Sequence, residues 1–290
     1  MSTLDPSQDA YFSGSRLYGD DFVGGELERW LEDEREAYAA LVATAAGQGT
    51  TYRYVYHSMN TIHGFRRLPD RRFEDVLGFG AAYAHEFLPI LPRVGRITIV
   101  DPSEMFSGRD LEGVPLTYIK PNRGGTLPFE DESFDLITCL DVLHHVPNVS
   151  TTVQELHRCL RRGGFLLLRE PTSSMGDWRK PRPGLTRRER GIPYPILRRI
   201  VTERGFEIVS ECRCMFPVTS RLAPLFRGAP YNSPIAVRID RLLSVLFSWN
   251  RTYHATNPLQ KLRPTEIFLV LQKQEARGRQ DRERKGHDAS

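Results

Sequence analysis

Between Gly125 and Pro147 the chain reads GTLPFEDESFDLITCLDVLHHVP, a polar turn running into an apolar strand that stops at two histidines. On either side, strand-like and helix-like runs alternate, and that alternation builds a parallel sheet with helices on both faces. Strands are expected at Phe73–Phe79, Arg96–Val100, Leu116–Ile119, Phe134–Leu140, Phe165–Arg169 and Phe206–Cys212, with a last one at Glu266–Gln272. Helices are expected at Ala81–Leu91, Thr152–Leu160 and Ile196–Glu203, and Arg161-Arg162-Gly163-Gly164 reads as a basic, glycine-closed helix end. In such sheets ligand chemistry gathers where strands end and loops begin, which makes Asp141, His144 and His145 candidates for a site.

The flanks read differently. Residues 1–20, rich in Gly, Ser, Asp and Tyr, suggest a loose arm; Leu27, Trp30, Leu31, Tyr38, Leu41 and Val42 then recur at helical spacing. A tyrosine- and histidine-rich segment, Thr51 to Leu68, precedes the first strand. The excursion from Pro217 to Pro264 contains a helix with an apolar face built from Ile239, Leu242, Leu243, Leu246, Phe247 and Trp249. The tail is charged and nearly free of apolar residues, so disorder is expected there. These divisions give an N-terminal arm and helical segment over 1–72, one main domain over 73–272 with a lid at 173–195 and an insertion at 217–264, and a tail over 273–290.

Four cysteines without zinc-knuckle spacing read as buried thiols in a reducing compartment, and no metal site is expected. There is no apolar leader and no apolar run of ~20 residues, so the expected location is cytoplasmic. Net charge is only +4, but nine Lys/Arg and two acids fall between Arg179 and Arg204. A basic stretch of this kind suits an anionic substrate or surface, and equally a solvated, partly mobile loop. The aromatics are not interleaved with it, which argues against nucleic acid.

Leu127, Pro128, Phe129, Asp131, Ser133, Phe134 and Asp135, followed by His145, Val146 and Pro147, resemble the middle motif of class I S-adenosylmethionine (SAM) methyltransferases, of the type similar to ubiquinone-pathway C-methyltransferases. The resemblance covers about 73–212. It implies a Rossmann-like, doubly wound α/β fold: a seven-stranded sheet, mostly parallel with a C-terminal antiparallel strand, and helical cap insertions. It also implies SAM as cofactor. Gly78, Gly80 and Ala82 then stand in the glycine turn, where the family pattern has an acid and then three glycines. Gly80 keeps the first glycine, Ala82 and Ala84 replace the others, and Gly78 replaces the acid. Asp101, followed by Pro102, stands where an acid accepts from the ribose hydroxyls; as part of D-P-S-E it also reads as a helix cap. Arg123 stands where an adenine-binding acid is usual, beside Leu127, and Asp141 lies at the cofactor's sulfonium end.

The acceptor reading follows from the remaining polar residues. An oxygen acceptor of high pKa needs a base, for which His57, His63, His144, His145 and His254 are the candidates. Arg179, Arg187 and Arg188 (with Lys180 and Arg182) and Tyr253 are candidates for holding an anionic small molecule or a lipid- or sugar-linked acceptor. O-methylation is the expected reaction. A methyltransferase-like scaffold that binds without turning over is the alternative, and the oligomeric state is left open.

Overall fold

The computed structural model describes residues 6–35, 37, 40, 52–122, 126–178, 180, 182, 184–226 and 228–274. Among the elements described before the first strand are the helices α1 (Pro6–Ser13), α2 (Gly25–Glu34) and α3 (His57–His63). The sheet is formed by β1 (Phe73–Phe79), β2 (Val94–Val100), β3 (Asp110–Leu111), β4 (Val114–Ile119), β5 (Phe134–Leu140), β6 (Leu160–Pro171), β7 (Phe206–Cys214) and β8 (Glu266–Lys273). Helix α4 (Val149–Cys159) joins β5 to β6 and α5 (Tyr194–Glu203) leads into β7. The insertion holds α6 (Pro217–Arg221) and α7 (Pro234–Leu246).

Strand order is β3-β4-β2-β1-β5-β6-β8-β7. β4, β2, β1, β5 and β6 run parallel, and β8 lies antiparallel between β6 and β7. The order reverses at β1, so the ends of β1, β2 and β5 open a crevice at a topological switch point. Alternate strand residues point to opposite faces. Leu77 and Ile137 pack with Val153, Leu156 and Leu197 of α4 and α5, while Val76 and Leu136 pack with Phe87, Met59 and Val237. Both faces are therefore covered, as a parallel sheet requires.

Several local expectations are corrected. The eighth strand, β3, is a two-residue antiparallel partner of β4 across a Glu112-Gly113 turn with φ of 49° and 87°. Such a primed two-residue turn matches strand twist. The segment after β1 is a 3-10 helix, His85–Arg93, because Pro89 and Pro92 remove donors that an α-helix needs. Gly163-Gly164 closes no helix; α4 ends at Cys159 and β6 begins at once, with Gly163 at φ 71° inside a register shift.

The N-terminal arm is packed where it is described. Phe12 and Tyr18 stack on Trp178 at 4.1 and 5.0 Å, Leu17 is buried, and the Asp20 carboxylate accepts from the Ser150 amide and hydroxyl. All four cysteines are free thiols. The expected disorder of the tail from Glu275 on lies outside the described residues.

Candidate active site

A cavity of about 820 Å³ opens at the ends of β1, β2 and β5. Gly80, at φ 70°, makes the first turn; its amide donates to the Val100 carbonyl (2.8 Å) and so ties β1 to β2. A Cβ at Gly80 would meet the Val142 side chain at 2.6 Å, so both conformation and space demand glycine. Ala82 and Ala84 keep the left-handed backbone, at φ 47° and 62°, although alanine tolerates it poorly. Gly78 does not reach the cavity. A side chain there would strike Ala81 and Ile99 at 2.6 and 2.7 Å, so no carboxyl fits at that position.

Asp101, Pro102, Asn122 and Leu127 line the opposite wall. The Asp101 carboxylate accepts from the Ser103 amide (2.9 Å), so the aspartate both caps its own turn and faces the cavity. The L-P-F-x-D turn is held from outside by Arg158 of α4. Its guanidinium donates to the Phe129 carbonyl (2.7 Å), the Leu127 carbonyl (3.1 Å) and the Asp131 carboxylate (2.9 Å). Asp135, the motif's last acid, accepts from the Glu74 and Asp75 amides at the start of β1. Much of the motif is thus architecture. Arg123 lies outside the described residues.

The floor joins Asp141 to charges that the sequence did not single out. Arg169 of β6 is buried; it pairs with Asp141, lies 3.3 Å from Glu266, donates to Asn60 and sits 4.1 Å over the Tyr56 ring. Beside it lies Glu86, only 4% exposed, with one carboxyl oxygen lacking any hydrogen-bond partner. Burial pushes Glu86 up to about 7, against the Thr138 hydroxyl that bonds it. Thr138 is paired directly across from Gly78, so Glu86 delivers a carboxyl to the strand position opposite the vacant site. Burial and the nearby Asp141 also raise Glu266. Tyr52, Tyr54 and Tyr56 form part of the cavity wall.

The two histidines have opposite characters. Glu170 accepts from the Val142, Leu143 and His144 amides (2.9, 2.7 and 3.2 Å) and from His144 Nδ1 (2.9 Å), while His144 Nε2 lies 3.5 Å from Glu189. Burial opposes charge on His144, but these two carboxylates prevail and raise it to about 10. His144 is therefore an imidazolium at neutral pH, which corrects its assignment as a general base. His144, His145 and Glu189 bring potential ligand atoms within 4.8 Å of one another, with His144 Nδ1 bonded to Glu170.

Burial and the charge on His144 lower His145. Its Nδ1 lies 2.9 Å from Glu34 of α2, and the Glu34 carboxylate also accepts from Thr186 Oγ1 and the Arg188 amide. These bonds hold Glu34 below the usual carboxylate range despite its burial. The Glu34 carboxylate beside Nδ1 favours the tautomer in which Nδ1 donates.

The other expected substrate residues lie elsewhere. Arg187 and Arg188 pair with Asp33 (3.4 and 2.7 Å), Arg182 donates to carbonyls of its own loop, and Lys180 lies 3.7 Å from Asp177. Local acids and carbonyls satisfy these cations, so none of them lines the cavity. Arg179 lies outside the described residues. His254 bonds Ser174 (2.8 Å), and the Tyr253 hydroxyl donates to the Gly191 carbonyl (2.6 Å), joining lid to insertion. Arg190, fully buried against Trp30, donates to the carbonyls of Tyr18, Leu143 and Val146 and locks the turn after β5. Glu34, Glu86, Glu170 and Glu189 were missed; the only local signal was the Arg169-Glu170 pair ending an apolar strand.

Residues 76–168 match the methyltransferase domain family. An uncharacterized methyltransferase, YcgJ, of Bacillus subtilis is 34% identical over 98 residues, 32% of this chain and 39% of that protein. The ubiquinone/menaquinone biosynthesis C-methyltransferase UbiE of Rhizobium rhizogenes is 30% identical over 112 residues, 36% of this chain and 43% of its own. The chain thus spans about two fifths of the length of these relatives. In fold it is similar to Burkholderia thailandensis 1,6-didemethyltoxoflavin-N1-methyltransferase, solved with its substrate and S-adenosylhomocysteine: TM-score 0.52, 14% identity, covering 88% of this chain and 93% of that one. Motif, strand order and family match agree over residues 76–168, which match a methyltransferase domain.

Proposed function

We propose that the protein is a SAM-dependent methyltransferase that methylates a hydroxyl of a small or lipid-linked molecule. The observation that carries the reading is the cavity at the switch point, walled by Gly80, Ala82, Asp101 and Asp141 within the matched domain. The residues fit the cofactor. Glu86 presents an orphaned buried carboxyl oxygen suited to the α-ammonium, and Asp101 a carboxylate suited to the ribose diol. When bound, SAM supplies an electrophilic methyl group on a sulfonium.

On this chain's side, His145 accepts the hydroxyl proton at Nε2, and Glu34 stabilises the imidazolium that forms. Imidazolium His144 and Glu170 fix the backbone that carries His145. Positioning supplies the remainder, since methyl transfer is an in-line displacement. Local pairing of the lid arginines supports a neutral acceptor rather than an anionic one.

The test is calorimetric titration with SAM and S-adenosylhomocysteine. Micromolar binding that weakens at least tenfold in Asp101→Ala is expected. Absence of binding to either would remove the reading and leave a silent scaffold.

A further inference from the structure

The insertion between β7 and β8 presents a surface that the cavity does not use. Twelve large apolar side chains stand exposed among the described residues, and ten of them lie between Val218 and Leu259. Helix α7 turns Ala236, Val237, Asp240 and Ser244 inward. Its outward stripe is Ile235, Ile239, Leu242 and Leu246, continued by Trp249, at steps of four, three, four and three residues. Leu242 is 68% exposed and Trp249 73%. A contiguous apolar face of this kind on a folded chain marks an interaction surface.

The charge around the stripe indicates what the surface meets. From Met215 to Pro264 the sequence has seven Lys/Arg and one acid, Asp240. That acid is buried and accepts from the Met215 and Phe216 amides (3.0 and 2.8 Å), so it adds no negative charge to the surface. Arg221, Arg238, Arg241, Arg251 and Lys261 are exposed. An apolar stripe bordered by cations, with a tryptophan at its end, is the pattern of a helix lying in a membrane interface. A two-fold pairing of copies through α7 would instead set Arg238 and Arg241 near their own counterparts. Among the described residues no helix is long and apolar enough to cross a membrane, and thirteen residues span only ~20 Å, so α7 suits lying flat.

We infer that this face seats the protein on an anionic lipid bilayer, with α7 in the headgroup plane and Leu242, Leu246 and Trp249 immersed. The arginines on α7 meet the lipid phosphates. The seat is also coupled to the cavity wall. Asn232, two residues before α7, accepts from the His57 amide (2.7 Å) and donates to the Tyr54 carbonyl (2.9 Å). The inference stands apart from the methyltransferase reading, because neither the patch nor its charges touch the cofactor wall.

Vesicle flotation of the full chain tests it, with phosphatidylcholine vesicles against vesicles in which about a third of the lipid is phosphatidylglycerol. Trp249 emission is a second readout, since Trp30 is buried and Trp178 is stacked between Phe12 and Tyr18. Flotation and a blue shift on the anionic vesicles are expected. Leu242→Glu with Trp249→Ser should lower partitioning at least tenfold, with circular dichroism unchanged. Arg238→Gln with Arg241→Gln, or added salt, should weaken binding to anionic vesicles. Absence of flotation, or flotation indifferent to these substitutions, overturns the inference. A sedimenting dimer dissolved by Leu242→Glu would assign the face to a second copy, and a soluble protein captured on it in preference to vesicles would also overturn it.

Discussion

His144 and His145 are neighbours in sequence with ring centroids 4.2 Å apart, yet their protons are set in opposite directions. Two carboxylates hold the first charged, and that charge helps keep the second neutral. Because the folded pKa of His144 is raised, its contribution to stability is full below pH 6.5 and is lost as pH rises through about 10. His144→Gln should therefore lower stability by about 3–5 kcal/mol in urea titrations at pH 7 and flatten the decline between pH 7 and 10. His145 lies below 6.5 when folded, so kcat should rise through an acidic limb and level off by neutral pH. His145→Gln should erase that limb and lower kcat by ~10²–10⁴. Glu86→Gln separates cofactor contact from packing. It should weaken S-adenosylhomocysteine binding ~10- to 100-fold in calorimetry and leave methylthioadenosine, which lacks the amino acid, unchanged. Equal weakening of both would reduce Glu86 to a structural role.

At the scale of elements, turns are fixed by close approach. Gly191 passes so near the segment just after β6 that a Cβ would lie 1.7 Å from the Ser173 carbonyl oxygen. Gly191→Ala should destabilise by more than 3 kcal/mol and part the lid from the strand, seen as faster proteolysis within 173–195. Ala82 and Ala84 carry the reverse signature, left-handed backbone without glycine. Ala84→Gly should raise stability by about 0.5–1 kcal/mol, because the relieved strain exceeds the added chain entropy. The L-P-F turn depends on α4 through Arg158, whose bonds to two carbonyls make a backbone cradle rather than a surface ion pair.

For the whole molecule, the cap closes the site through chain segments remote in sequence. Glu34 reaches His145 across 111 residues, and the indole N–H of Trp30 donates to the His145 carbonyl at 2.7 Å. Trp30 is completely buried, with Arg190 4.8 Å over its ring. Trp30→Ala should cost about 3–5 kcal/mol in urea titrations by leaving a cavity. It should also loosen the Glu34–His145 pair, whose carboxylate raises His145, read as a downward shift of the acidic limb of kcat.

Most of the sheet is legible in the amino-acid sequence; the short β3 is not. Period-two apolar runs and glycine or proline breaks are local signals, so β1, β5 and the switch-point crevice were legible. Gly80, Ala82, Asp101, Pro102, Leu127, Asp141, His144 and His145 were named from it, and all line the cavity. The tertiary structure alone decided what those residues do. Whether a histidine is a base or a fixed cation depends on carboxylates brought from α2, β6 and the lid. Arg187 and Arg188 reach Asp33 of α2, a partner more than 150 residues away in the chain. Protonation and pairing arise between segments far apart in the chain, where spacing carries no information and burial sets the energies.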